Sequence, residues 1–124
     1  MLRCLGSLSV LTLGAIVATQ AVAAPPPGEQ VFDQRCGACH ALDPAPGKLG
    51  PPLRGVVGRK AGTAAGYAYS DAMRKAALVW TPATLDRFLE APNQAVPGTK
   101  MMISLADAQQ RAAVAAYLKG LKKG

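Results

Sequence analysis

The chain has 124 residues, a length that allows one domain and excludes a second sizeable core. Half of the residues are hydrophobic, but 24 of these are alanine, and the large aliphatic residues and phenylalanine together number only 27. Such a composition disfavours an ordinary self-sufficient hydrophobic core. The chain contains 14 Lys and Arg against 7 Asp and Glu, and its net charge of +7 favours acidic proteins or membrane surfaces as partners.

The N-terminal segment is predicted to be a secretory signal peptide. Arg3 supplies a positive start, residues 5–17 form an uncharged apolar run, and Ala21, Val22 and Ala23 form a cleavage signal. The alternative is a retained membrane anchor, but the run is short for a span, which needs about 20 residues. We expect a signal peptide at residues 1–23 and a second region, the exported domain, at residues 24–124. Cleavage leaves 18 large apolar residues, so this domain needs an additional stabilising element.

The first helix of the exported domain is predicted over residues 28–39, and it ends beside a cluster of reactive side chains. Cys36 and Cys39 are followed at once by His40, the only histidine of the chain. A disulfide here would close a very small loop, a thioredoxin-like redox pair expects neighbouring strands, and a zinc site lacks its further ligands. Cys-x-x-Cys-His is instead the attachment signature of a c-type haem. Residues three apart share a helix face, so both sulfurs can bond to one porphyrin, and His40 can reach the iron.

The middle of the chain is predicted to be mostly irregular. Prolines and glycines interrupt any helix or strand pattern as far as residue 69. A loop of this length is accounted for if it wraps around a large flat cofactor. Ser70 can cap a short helix that runs through Ala77. Thr81 and Pro82 form a helix start, with proline at the first helical position, and this helix is predicted to end before Pro92.

The second axial ligand of the iron is predicted to be a methionine or a lysine, because the chain has no second histidine. The methionines available are Met73, Met101 and Met102. Met101 follows a Pro-Gly-Thr-Lys turn, which can bring it to the opposite face of the cofactor. Spacing alone does not exclude Met102, and both neighbouring methionines could instead fill the core.

The last helix is predicted from a capping signal and an apolar stripe. Residues 104–107 (S-L-A-D) resemble a capping box that begins at Ser104, with Asp107 as the reciprocal partner. A helical stripe follows it, formed by Val114, Tyr117, Leu118 and Leu121. The predicted fold class is therefore all-α.

Several segments resemble class I cytochromes c of the mitochondrial and photosynthetic bacterial type. Residues 96–101 (V-P-G-T-K-M) are similar to the axial-methionine loop of that family. Further segments match in order, so that the resemblance covers about residues 28–121: residues 28–32 leading to Cys36, residues 50–53, residues 66–71 with Trp80, and residues 111–121. The resemblance implies the class I cytochrome c fold, in which helices and long loops surround one haem c bound covalently through Cys36 and Cys39.

The resemblance also implies roles for individual residues. His40 and Met101 would be the two iron ligands, and the carbonyl of Pro51 would accept a hydrogen bond from the His40 ring. Arg59, Tyr69 and Trp80 would lie near the buried haem propionates, and Thr99 would also contact the haem. Phe32 and Tyr117 would pack together where the first and last helices cross.

The implied function is that of a soluble periplasmic electron carrier rather than an enzyme. Its six-coordinate haem would pass single electrons between respiratory or photosynthetic membrane complexes, from a quinol-oxidising complex to an oxidase, a reaction centre or a reductase. We expect a monomer that docks transiently on acidic redox proteins through Arg35, Lys48 and Lys100, and no binding of nucleic acid. The alternatives are a peroxidase or gas-binding haem with an open iron position, and a subunit permanently attached to an oxidoreductase.

Overall fold

Helices and irregular loops make up nearly all of the structure. The computed structural model describes residues 27–123, and the predicted signal peptide lies outside them. Within the described range the only β-type pairing is an isolated antiparallel bridge between Lys60 and Val79. In chain order the helices are α1, an α-helical turn (Gly28–Val31) continued by a π-helical turn (Phe32–Cys36), α2 (Asp71–Lys75), α3 (Pro82–Glu90), α4 (Pro92–Ala95) and α5 (Ala108–Gly120). The all-α prediction is confirmed.

Helices α1 and α5 pack together at the two ends of the chain. A Cβ atom at Gly28 would lie 2.5 Å from the Cβ of Tyr117, so the close approach of the two backbones requires glycine here. The rings of Phe32 and Tyr117 pack with their centroids 6.0 Å apart, as predicted. Val114, the first residue of the predicted stripe, is completely buried. The two terminal helices therefore close one side of the core.

Helix α1 ends earlier than predicted, and its last turn is wider than an α-helical turn. The amide of Gly37 donates to the carbonyl of Phe32, five residues back, over 2.8 Å. The amides of Cys39 and His40 then both donate to the carbonyl of Cys36, over 3.1 and 2.8 Å. The helix thus stops at Cys36, three residues before its predicted end, and continues as a tight turn through the Cys-x-x-Cys-His motif.

The predicted irregular stretch is confirmed, and its backbone is held by bonds between distant segments. Residues 37–70 contain no helix. The amide of Leu53 donates to the carbonyl of Ala41 over 3.0 Å, which folds the loop back on itself. The amide of Trp80 donates to the carbonyl of Arg59 over 2.9 Å, which ties the loop to the start of α3. These bonds satisfy the backbone without regular structure.

The middle helices follow their predicted caps. Ser70 accepts a hydrogen bond from the amide of Met73 at the start of α2, which ends at Lys75, two residues before its predicted end. Thr81 and Pro82 begin α3 as predicted, and Thr84 completes a reciprocal capping box that is not predicted from the sequence. The short helix α4 is not predicted from the sequence, where Pro92 indicates only the end of α3. In the structure Pro92 also begins the new helix.

The predicted start of α5 is wrong. The residue that caps this helix is Asp107, whose carboxylate accepts hydrogen bonds from the amides of Gln109 (2.8 Å) and Gln110 (3.1 Å). Residues 101–107 are irregular, so Ser104 is not the N-cap and Asp107 is not a reciprocal partner. None of the helices within residues 27–123 is both long enough and apolar enough to cross a membrane.

Candidate functional site

The turn that follows α1 presents two thiols and one imidazole to a common cavity. Cys36, Cys39 and His40 all line it, and the two cysteines are partly buried and are not joined by a disulfide. Burial and, to a smaller extent, the neighbouring Cys39 together raise the pKa of the Cys36 thiol to about 11. The Cys36 sulfur of the polypeptide is therefore a neutral thiol at neutral pH.

The orientation of His40 is fixed by the loop that follows it. Its Nδ1 lies 2.9 Å from the carbonyl oxygen of Pro51, the hydrogen bond that the resemblance implies. Because a carbonyl can only accept, Nδ1 carries the proton and Nε2 keeps a free lone pair. Burial lowers the pKa of His40, so the ring is neutral at neutral pH and can bind a metal ion.

Gly50 completes the surroundings of the imidazole. A Cβ atom at this position would overlap the His40 ring, lying only 2.6 Å from Nδ1 and 2.8 Å from Nε2. The amide of Gly50 also donates to the carbonyl of Cys39 over 2.8 Å, which holds the loop against the Cys-x-x-Cys-His turn. The sequence alone does not predict this role of Gly50. The available indication in the sequence is that Gly50 directly precedes Pro51, whose carbonyl is expected to bond to His40.

Met101 lines the same cavity and follows a turn that is far in sequence from the Cys-x-x-Cys-His motif. The amide of Met101 donates to the hydroxyl of Thr99 over 3.3 Å, and the amide of Thr99 donates to the carbonyl of Val96 over 3.0 Å. Thr99 is buried, and both Thr99 and Met101 line the cavity. Met102 does not line it and is 71% exposed. Of these two neighbouring methionines, the structure thus brings Met101 to the site.

Three further predicted residues form another part of the wall. Arg59 donates to the carbonyls of Pro52 (3.0 Å) and Arg54 (3.4 Å), and none of the ion pairs within residues 27–123 includes it. The hydroxyl of Tyr69 accepts a bond from the amide of Ala64 over 3.2 Å. The Trp80 ring is buried. A half-buried guanidinium without a carboxylate partner among the described residues is suited to a negatively charged group in the cavity.

The cavity has about 1070 Å³ of empty space, part of which is open to solvent. Its walls are mostly apolar, and no Asp or Glu of the described residues lines it. The residues predicted from the sequence to form the site all line it: Cys36, Cys39, His40, Pro51, Arg59, Tyr69, Trp80, Thr99 and Met101.

These features together fit a haem c. Two unpaired cysteines at the attachment spacing line a mostly apolar cavity, and the imidazole beside them has its Nε2 free. The thioethers of Met73 and Met101 also line the cavity and are suited to the iron, and the guanidinium of Arg59 is suited to the propionates.

Comparison with known proteins identifies the family. The family model described as "Cytochrome c" matches residues 26–122. The chain belongs to the cytochrome c family. As a cytochrome c, it carries one covalently attached haem c, bound through Cys36 and Cys39, and it is a haem electron carrier that exchanges electrons with redox partners.

The relatives of this cytochrome c span organisms of different kinds. The chain is 50% identical over 97 residues to cytochrome c2 of Rhodomicrobium vannielii, an alignment that covers 76% of each chain. It is 45% identical over 96 residues to cytochrome c of Euglena viridis, covering 77% of this chain and 94% of the relative. The solved structure of cytochrome cH from Methylobacterium extorquens superposes with a TM-score of 0.69 at 44% identity, covering 75% of this chain and 94% of that one.

Proposed function

We propose that this cytochrome c is a soluble periplasmic carrier of single electrons, and that His40 and Met101 are its two axial iron ligands. The observation that carries the proposal is that His40, with its Nε2 free, lines the same cavity as the thioether of Met101. With both axial positions filled, the iron has no open site for a substrate, so the protein acts as a carrier and not as an enzyme.

The residues of the site keep the environment of the cofactor the same in both oxidation states. When bound, haem c supplies a one-electron couple between ferrous and ferric iron. Pro51 holds the His40 ring in one tautomer and one orientation, and Thr99 holds the backbone of Met101. The apolar wall would shield the cofactor from water, and Arg59, with Tyr69 and Trp80, would hold the propionates. Methionine ligation and burial both favour the reduced iron and raise the reduction potential.

The cationic residues around the cavity mouth support docking on acidic partners. Arg35 and Lys100 line the cavity, Lys48 donates from its ammonium to the carbonyl of Gly37 beside Cys36 over 2.6 Å, and all three side chains are exposed. Their charge attracts acidic surfaces over about one Debye length, which favours fast and transient docking of a monomer. The proposed donor is a quinol-oxidising complex, and the proposed acceptor is an oxidase, a reaction centre or a reductase. Nucleic acid is not a partner.

The proposal is tested by expressing the full chain in a bacterium that attaches haem c and by recording spectra of the periplasmic fraction. The wild-type protein is expected there, without residues 1–23, with a low-spin six-coordinate spectrum that includes the weak band of an iron–methionine bond. Met101→Ala is expected to lose that band and to lower the reduction potential, because the thioether is removed.

Met102→Ala is the matched control, since this neighbouring methionine lies outside the cavity. It is expected to retain both the band and the potential of the wild type. A wild-type spectrum with an open iron position would contradict the proposal and would favour a peroxidase or a gas-binding haem. A protein that remains in the membrane fraction would contradict the soluble periplasmic location.

A further inference from the structure

Met101 begins a segment that has no regular structure of its own. Residues 101–107 lie between the turn that contains Thr99 and the first residue of α5. Within it, Met102 and Ile103 are 71% and 65% exposed, so their side chains contribute little packing to hold the segment. A ligand on such a segment needs fixed points on both sides. Thr99 is the fixed point on the N-terminal side.

The fixed point on the C-terminal side is a buried arginine. Arg111, on α5, is only 5% exposed. Its Nη1 donates to two successive carbonyls of the segment, that of Leu105 over 3.0 Å and that of Ala106 over 2.8 Å. These bonds hold the backbone four and five residues after Met101.

The same guanidinium also ties the segment to α3. Its Nε donates to Asp86 over 2.7 Å, and Glu90 lies 3.7 Å from Nη2. Independently, the amide of Leu105 donates to the carbonyl of Leu89 over 2.7 Å. Arg111 therefore connects the methionine segment with both α3 and α5, and its side chain does not line the cavity.

We propose that Arg111 is a positioning residue for Met101. It fixes the backbone after the ligand and so limits how easily the thioether leaves the iron. This inference rests on the proposed ligation by Met101. A buried guanidinium with hydrogen bonds from both terminal and internal nitrogens holds its geometry, because moving it would leave charge and carbonyls unpaired in the interior.

The experiment compares the affinity of ferric holoprotein variants for added imidazole, which competes with the thioether for the iron. Arg111→Gln removes the charge and the fork of donors. Arg111→Lys keeps the charge but cannot make all the planar contacts. Arg54→Gln is the matched control, because Arg54 also pairs with a carboxylate, that of Asp43, over 2.7 and 2.9 Å, and bonds to no residue of the methionine segment. Denaturant unfolding is measured for each protein.

Arg111→Gln is expected to bind imidazole about tenfold more tightly than the wild type, an effect equivalent to one charge-assisted hydrogen bond. Its iron–methionine band should also be weaker. The imidazole affinity of Arg111→Lys should lie between those of the wild type and Arg111→Gln. If Arg111→Gln does not fold, Arg111→Lys is compared with the wild type instead. Arg54→Gln should keep the wild-type imidazole affinity.

Lower stability of the Arg111 variants with unchanged imidazole affinity and an unchanged band would show a purely structural role and would overturn the inference. If the wild type itself lacks the iron–methionine band, the proposed ligation fails, and this inference fails with it. If the wild type shows the band, and both the band and the imidazole affinity are the same in the wild type and in the Arg111 variants, the inference alone is overturned and the proposed ligation stands.

Discussion

At the scale of single residues, the site depends on an absent side chain as much as on those present. Gly50 lies against the His40 imidazole, and its backbone conformation is one that other residues can adopt. Only the missing Cβ makes glycine necessary there. The Nδ1 of the imidazole is held by the bond to the Pro51 carbonyl. The ring therefore has no room to move away from an added methyl group without losing that bond.

We predict that Gly50→Ala lowers the free energy of unfolding of the holoprotein by about 1–3 kcal/mol, the usual cost of overpacking. The new methyl group would overlap the His40 ring and displace it from the Pro51 carbonyl. Denaturant unfolding and the visible spectrum measure the two effects. Gly120→Ala is the control, because a Cβ there meets no atom within 4 Å. Equal stability of the two variants would contradict the prediction.

The sequence predicts some site residues better than others for a chemical reason. The spacing of Cys36, Cys39 and His40 is the signature of covalent haem attachment, so those residues are recognisable without a structure. Gly50 and Arg111 are not, because glycine and arginine occur in many settings, and what distinguishes these two is the neighbour that folding brings to them. The preference for Met101 over Met102 came from the turn before it and from the family resemblance, because spacing alone did not separate them.

At the scale of the helices, the caps explain both the successes and the errors of prediction. Thr81 and Pro82 give one unambiguous start for α3. Before α5, two potential caps lie three residues apart, and local sequence does not choose between them. The choice is made by tertiary bonds, because Arg111 and Leu89 hold the backbone of Leu105 in a non-helical segment. The π-helical turn that contains Cys36 likewise has no signal in a pattern of apolar residues.

We predict that Asp107→Ala destabilises the holoprotein by about 0.5–2 kcal/mol, because α5 loses the acceptor for two of its first amides. Ser104→Ala provides the comparison at the position that the sequence pattern favoured. Ser104 is exposed and caps no helix, so its replacement should change stability by no more than about 0.5 kcal/mol. Denaturant unfolding measures both. A larger loss for Ser104→Ala than for Asp107→Ala would show that the helix begins earlier in solution.

At the scale of the whole molecule, the scarcity of large apolar residues matches the architecture. Buried and partly buried residues form a wall around the cavity, contributed by α2, α3 and α5, by the loop before α2 and by the loop between α2 and α3. The large apolar side chains in this wall are Leu53, Val56, Met73, Trp80, Leu85, Phe88, Leu89, Val114 and Leu118. A cofactor in the centre supplies the apolar surface that the composition lacks. The composition by itself, without any motif, therefore indicates that the core needs an additional apolar component.

We predict that the mature chain is largely unfolded when haem cannot be attached, as in the double variant Cys36→Ala, Cys39→Ala purified without haem. Each large apolar side chain contributes about 1.5–3 kcal/mol when fully buried, whereas small domains are stable by only about 5–15 kcal/mol. Partial exposure of the nine side chains of the wall is enough to cancel that stability. Circular dichroism measures the helix that remains, with the wild-type holoprotein as reference. Native helix content in the haem-free variant would show that α1, α3 and α5 pack stably around an empty centre, and the composition would then need another explanation.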